Sequence, residues 1–254
     1  DGYAGTDGSL GVGFDNFNAL IGSAFADTLT GPDAVNNWKI TAANAGSLND
    51  TLSFASVENL VGGNQSDTLD FSAYASARSV AVSGSGSVDG YAGTDGSLGV
   101  GFDNFNALIG SAFADTLTGP DAVNNWKITA ANAGSLNDTL SFVSVENLVG
   151  NSQSDTLDFS AYASARSVAV SGSGSVDGYA GTDGSLGAGF DNFNALIGSA
   201  FADTLTGPDA VNNWKMTAAN AGSLNDTLSF ASVENLVGNS QSDTLDFSAY
   251  ASAR

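Results

Sequence analysis

The sequence predicts an all-β chain wound as a β-solenoid, specifically a right-handed parallel β-helix built from a repeated module. Three observations carry that expectation: a long internal repeat, a weaker repeat inside it, and apolar residues spaced two apart between turn-forming runs. The long repeat is explicit. The segment DGYAGTDGSLGVGFDNFNALIGSAFADTLTG begins at Asp1, returns at Asp89, and returns at Asp177 with Ala188 in place of Val100, a period of 88 residues. The chain therefore parses as repeat 1–88, repeat 89–176 and a truncated repeat 177–254, expected to form one continuous solenoid and to be a fragment of a longer array. The copies are nearly identical: the first two differ only at Ala55/Val143, Gly63/Asn151 and Asn64/Ser152.

The inner repeat sets the expected coil. Aligning Phe14 with Phe54 pairs FDNFNALIGSAFADTLTG with FASVENLVGGNQSDTLDF, so each repeat is two related halves of 40 and 48 residues. A further DTL lies at Asp50 and a DGSL at Asp7 and Asp95, so the successive aspartates 7, 27, 50, 67 and 95 are separated by 20, 23, 17 and 28 residues. That spacing suggests about four coils of about 22 residues per repeat, a length typical of solenoid turns.

The local pattern is that of strands. Trp38 and Ile40, Leu52 and Phe54, Leu69 and Phe71, and Val80 and Val82 each place apolar residues on one face with small or polar residues between. Gly, Ser, Asn and Asp, with Gly31-Pro32, separate these runs and turn the chain sharply. The Ala-rich stretch Ala42–Gly46 is too short for an independent helix and reads as a loop. The competing fold is a tandem array of immunoglobulin-like β-sandwiches, for which 88 residues is also a fitting size. The visible halves and the lack of a linker favour the solenoid.

Composition narrows the function. Each repeat has nine acidic residues against one lysine and one arginine, giving a net charge of −21. Such a surface repels nucleic acid and anionic lipid, and no apolar run of about 18 residues or more suggests membrane insertion by this segment. With no Cys and no His, disulfide stapling, thiolate metal sites and imidazole catalysis are excluded.

The strings GGNQSDTLD (Gly62–Asp70) and GSAFADTLT (Gly22–Thr30) resemble the nonapeptide repeat of RTX proteins, G-G-x-G-x-D-x-U-x with U a large apolar residue. The longer texts VENLVGGNQSDTLDFSAY and NNWKITAANAGSLNDTLSF are similar to the repeats of giant bacterial surface adhesins of the filamentous-haemagglutinin kind. What the RTX resemblance implies is Ca²⁺ held between coils by the motif aspartates, which here are Asp27, Asp67, Asp115, Asp155, Asp203 and Asp243. The chain departs from the motif where Gln65 or Phe25 replaces the fourth-position Gly, and Ser23, Asn151 or Asn239 the second. The competing role is structural, each aspartate bonding the backbone of its own turn.

No acid cluster stands out from these turn residues, so no enzyme is expected; Asp70 and Glu58 read as solvated. Trp38 should lie in the core, whereas Tyr3, in the turn-like DGYAG, is the better exposed candidate for stacking on surface carbohydrate. The expectation is a stalk, fibre or coat segment of a giant secreted, cell-surface bacterial protein, partnered end to end by copies or repeats of itself. A calcium-dependent or carbohydrate-binding adhesion module is the alternative.

Overall fold

The structure, a computed structural model, describes residues 2–252, so that Asp1 and Arg254, the first and last residues of the repeat text, lie outside the described residues. Among the described residues every regular element is a β-strand and none is helical. Two compact units result, Asp1–Asp115 and Thr116–Arg254, divided inside the second repeat rather than at a repeat boundary.

In the unit Asp1–Asp115 the chain passes back and forth between two sheets. One contains, in spatial order, Ala107–Ile109, Thr68–Asp70, Asn37–Ala42, Ala45–Leu48, Leu52–Ala55 and Ala19–Ile21. The other contains Ser79–Ser85, Tyr91–Thr94, Gly101–Phe105, Asn59–Val61 and Thr28–Thr30. Parallel registers stack like on like: Leu29 on Leu60 on Phe102 in one sheet, Trp38 on Leu69 on Leu108 in the other. These apolar rows face inward, and all of these residues but the half-buried Leu29 are buried, because alternate residues of a strand point to one side. Trp38 anchors this core edge to face, its ring 6.2 Å from Phe54 and 6.0 Å from Phe105.

The unit Thr116–Arg254 repeats the arrangement. Leu117 stacks on Leu148 and Phe190, Trp126 on Leu157 and Leu196, and Trp126 lies 6.4 Å from Phe142 and 6.0 Å from Phe193. Each unit is thus a β-solenoid segment. The immunoglobulin-like alternative fails on these parallel ladders, since such a sandwich pairs its sheets antiparallel.

The coil differs from the expected four of about 22 residues. Between Ala19 and the equivalent Ala107 the chain makes three circuits, and stacked partners lie 31 residues apart at Leu29 and Leu60 but 42 apart at Leu60 and Phe102. The extra length goes into two antiparallel three-strand meanders, Asn37–Ala55 in one sheet and Ser79–Phe105 in the other. Two of the four aspartate motifs therefore mark meander turns rather than coil corners. Asn49 and Asp50 sit at φ of 51° and 53°, and Thr51 N donates to Leu48 O at 3.1 Å, the left-handed pair expected of a type I′ hairpin turn. Asp95 turns the chain between Tyr91–Thr94 and Gly101–Phe105, and the Ala42–Gly46 stretch is a hairpin around Asn44 rather than a loop.

The tryptophan rows make a test. Trp126→Ala should cost about 3–5 kcal/mol by emptying a fully buried, close-packed site, whereas Phe25→Ala, on a side chain exposed to 82 %, should stay within about 0.5 kcal/mol. Urea unfolding followed by far-UV circular dichroism measures both.

Candidate functional site

The six motif aspartates stand at corners where the chain leaves one sheet for the other, just ahead of or at the start of strands such as Thr68–Asp70 and Asp155–Asp158. A corner exposes N–H groups that no sheet ladder reaches, and a buried carboxylate can accept several of them. Asp67, fully buried, does so with both oxygens. Its Oδ2 accepts from Gly63 N at 2.7 Å, and its Oδ1 accepts from Asn36 N at 3.1 Å and Asn36 Nδ2 at 2.7 Å. Its backbone binds forward as well: the carbonyl accepts from Asn106 N at 2.9 Å and the amide donates to Asn106 Oδ1 at 3.1 Å. One residue thus joins its own turn to the coils before and after it.

The pattern recurs. Asp155 accepts from Asn151 N at 2.9 Å and Asn124 Nδ2 at 2.7 Å, and Asp243 accepts from Asn239 N at 3.1 Å and Asn212 N at 2.8 Å. In the other half-repeat, Asp27 accepts from Ser23 N, Asp115 from Ser111 N, and Asp203 from Ser199 N, each at 2.5 Å. Asp115 and Asp203 also accept from the backbone amides of Arg78 and Arg166. The side chains that complete these bridges, Asn36, Asn124 and Asn212, carry no motif signal; only their place before a buried tryptophan strand marks them.

This donor set does not fit calcium. The ion needs oxygen ligands, while the oxygens of these aspartates face N–H groups, and among the described residues no three carboxylates, imidazoles or thiols gather around one point. Burial pushes the carboxyls of Asp67 and Asp155 above the usual 3.8, partly offset by the Asn36 and Asn124 amides, with Asp89 and Asp177 as further raising neighbours.

Other candidates move. Tyr3 is not a free stacking platform: its hydroxyl accepts from Asn49 Nδ2 at 2.8 Å, and its equivalents Tyr91 and Tyr179 are 6 % exposed. The alternation in Tyr-Ala-Gly-Thr belongs to a strand, which turns the ring inward. Asp70 is buried too, accepting from Ser72 N at 2.8 Å and Asn37 Nδ2 at 3.2 Å, and Glu58 accepts from Asp27 N at 3.0 Å and Asn44 Nδ2 at 2.7 Å. Among the described residues the exposed aromatics include Phe25, Phe113 and Phe201, which stand at 88-residue intervals, beside Phe17 and Phe247. Arg78 has a role its sequence context did not suggest: Nη2 donates to the Asp95 carbonyl at 2.6 Å and carboxylate at 2.9 Å, with the guanidinium 4.2 Å from the centre of the Tyr74 ring. Arg166, Asp183 and Tyr162 repeat this clasp.

At two of the positions where copies diverge, the replacing side chain bonds to another coil. Asn151, in place of Gly63, donates Nδ2 to Gly119 O at 2.6 Å, and Ser152, in place of Asn64, donates Oγ to Asp121 Oδ1 at 2.6 Å. No family model matches the chain, and no curated protein or solved structure matches it either.

Two outcomes test the corner carboxylates. Asp155→Asn keeps the size but replaces one acceptor by a donor facing N–H groups, and should cost about 1–3 kcal/mol. Asp67 and Asp155 hold their protons more tightly folded than unfolded. Their contribution therefore grows as pH falls through the raised values toward 3.8 and is lost as pH rises. Asp7, Asp226 and Asp246, held below 3.8 by hydrogen bonds from Ser9, Lys215 and Ser248, act oppositely at more acid pH. Thermal melting should show a higher midpoint at about pH 5 than at pH 8, and a smaller difference in Asp67→Asn/Asp155→Asn.

Proposed function

We propose that this chain is a structural segment, a stalk, fibre or coat, of a long extracellular repeat protein, and that its work is mechanical rather than catalytic. The observation that carries this reading is the use made of the polar side chains. Asp67, Asp155, Asn36, Asn124, Arg78 and Arg166 are committed to bonds that tie one coil or meander to the next. Those bonds recur at 88-residue intervals, so each copy repeats the same internal work. A stack of this kind gains stability from neighbour contacts, adding one module at a time. The RTX-like motifs then serve as coil corners, and a stacked repeat of this kind is what the resemblance to secreted bacterial adhesin repeats implies.

Stretching single molecules between two handles tests this. The reading expects discrete unfolding steps, each releasing a contour on the order of 300 Å for an 88-residue repeat at about 3.4 Å per residue. Smooth extension at negligible force would sink it. The corner geometry further expects a melting midpoint that is the same in excess EDTA and in millimolar Ca²⁺; a β-sheet signal that appears only with Ca²⁺ would instead establish the calcium-dependent alternative.

One observation favours adhesion as a second role on the same scaffold. Phe25, Phe113 and Phe201 present an aromatic ring once per repeat, a geometry suited to repeated stacking on surface carbohydrate. Replacing all three with Ala should then abolish glycan binding while leaving the melt unchanged.

A further inference from the structure

The first and second repeats meet in a tight turn. Residues 86–90, GSVDG, join strand Ser79–Ser85 of the first repeat to strand Tyr91–Thr94 of the second, and Gly86 N donates to Gly90 O at 2.9 Å to close the turn. The turn lies against the strand Gly101–Phe105. Val88 N donates to Asn104 Oδ1 and Ser87 N to Asp103 Oδ1, both at 2.9 Å. Gly90, at φ 54°, sits so close that a Cβ there would meet the Phe105 backbone at 2.4 Å.

Asp89, in this turn, is linked to the corner of the coil before it. Asn106 bridges the two: its Nδ2 donates to Asp89 Oδ2 at 3.3 Å, and its Oδ1 accepts from Asp67 N at 3.1 Å. The other Asp89 oxygen, Oδ1, is buried and meets no donor. Asp67 offers none, since its fully buried carboxylate accepts at both oxygens. The two basic side chains of the unit, Lys39 and Arg78, are held by Asp50 and Asp95, so neither balances the pair. The other acid against the turn, Asp103, is bonded to Ser87 N, and Asn36, Asn104 and Asn106 are neutral. Burial first, and the Asp89 charge after it, hold the Asp67 carboxyl above 3.8 against the opposing hydrogen bonds from Asn36 and Gly63.

The next junction repeats the arrangement inside the unit Thr116–Arg254. Asn194 links Asp177 Oδ2, at 3.3 Å, to Asp155 N, at 3.2 Å, and Asp177 Oδ1 is again buried without a donor. Asp191 is bonded to Ser175 N and Asp209 to Ser240 Oγ, while Lys127, Arg166 and Lys215 are held by Asp138, Asp183 and Asp226.

We propose that each junction between repeats is a proton-operated joint, in which a proton on the corner aspartate holds the turn down and two charged carboxylates push it open. Like charges in a buried setting disfavour each other, and one proton removes the repulsion. The hold is complete below 3.8 and is lost as pH rises through the raised value at Asp67. One joint falls every 88 residues, so an array of these repeats is stiffest in acid and yields first at its junctions as pH rises.

The test is hydrogen–deuterium exchange of the whole chain at pH 5 and pH 8, in excess EDTA so that no divalent cation takes the place of the proton. Residues 79–91 and 167–179 share one sequence, so their peptides report the two joints together. After correction for intrinsic exchange, the turn amides should be roughly tenfold better protected at pH 5. The Asn49–Asp50 turn, whose acid is paired with Lys39, should not change. Asp89→Asn/Asp177→Asn removes the repulsion and keeps an acceptor for Asn106 and Asn194. It should raise the melting midpoint at pH 8 by on the order of 2–4 °C and abolish the difference in protection. The charge-matched Asp33→Asn/Asp121→Asn, at exposed corners, should keep that difference. Equal protection of the turn at the two pH values overturns the proposal whatever the variants do. A lower midpoint of Asp89→Asn/Asp177→Asn at pH 8, with the difference in protection intact, overturns it as well.

Discussion

A chain that stacks parallel strands must leave one sheet and enter another at every corner, and each corner strands N–H groups beyond the reach of the ladders. The corner aspartates, such as Asp67 and Asp155, answer that constraint, and the rest of the fold is arranged around them. One carboxylate oxygen closes the turn four residues back, as at Gly63 and Asp67, while the other reaches the preceding coil, as at Asn36. Because the same residue binds the following coil through its backbone, successive coils are aligned by a hydrogen-bonding centre and not by apolar packing alone. The apolar rows of Leu29, Leu60 and Phe102 can then stay in register, since a one-residue slip would turn them outward.

The net charge takes on a different meaning once these corners are known. An excess of acids suggests a uniformly acidic exterior, yet Asp67, Asp70, Asp95, Asp115, Asp155, Asp158, Asp183 and Asp203 are buried. Each would be costly to bury without partners. N–H donors from turns and asparagines supply them at most sites, and a guanidinium does so at Asp95 and Asp183. Scarce arginine is therefore placed inside, where its planar donor fork and its stacking on Tyr74 or Tyr162 both count.

Much of the fold was legible in the sequence because it is written in periodicities. The 88-residue text defined the module, and the two-residue alternation at Trp38 and Ile40 or Leu69 and Phe71 marked strands and core. The meanders were not legible from motif spacing, since Asp7, Asp50 and Asp95 share the local text of the corner aspartates while serving hairpin-like turns. The distinguishing signal was weaker and local: Asn49-Asp50 is a left-handed turn pair. The site was legible in position and not in chemistry. The motif located the six aspartates, but whether their oxygens meet N–H donors or a cation depends on the neighbouring coil, and Asn36 lies 31 residues from Asp67. Tyr3 misled for a related reason, because flanking glycines look like a turn until Tyr91–Thr94 is seen as the middle strand of a meander.

The order of strands in each meander bears on how such a chain acquires its structure. In Asn37–Ala55 the first strand made lies farthest forward and the last lies back against Ala19–Ile21, which is already in place. The forward strand meanwhile offers a fresh edge to Thr68–Asp70, the next segment of that sheet to emerge. Ser79–Phe105 works the same way, its last strand returning to Asn59–Val61. A polypeptide delivered from its N-terminus can thus fold behind the point of delivery, each meander locking onto the coil already formed while templating the coil still to come. Stacked partners such as Leu29, Leu60 and Phe102 lie 31 and 42 residues apart, so each coil meets its neighbour soon after it is delivered, which shortens the time that bare strand edges are exposed to other chains.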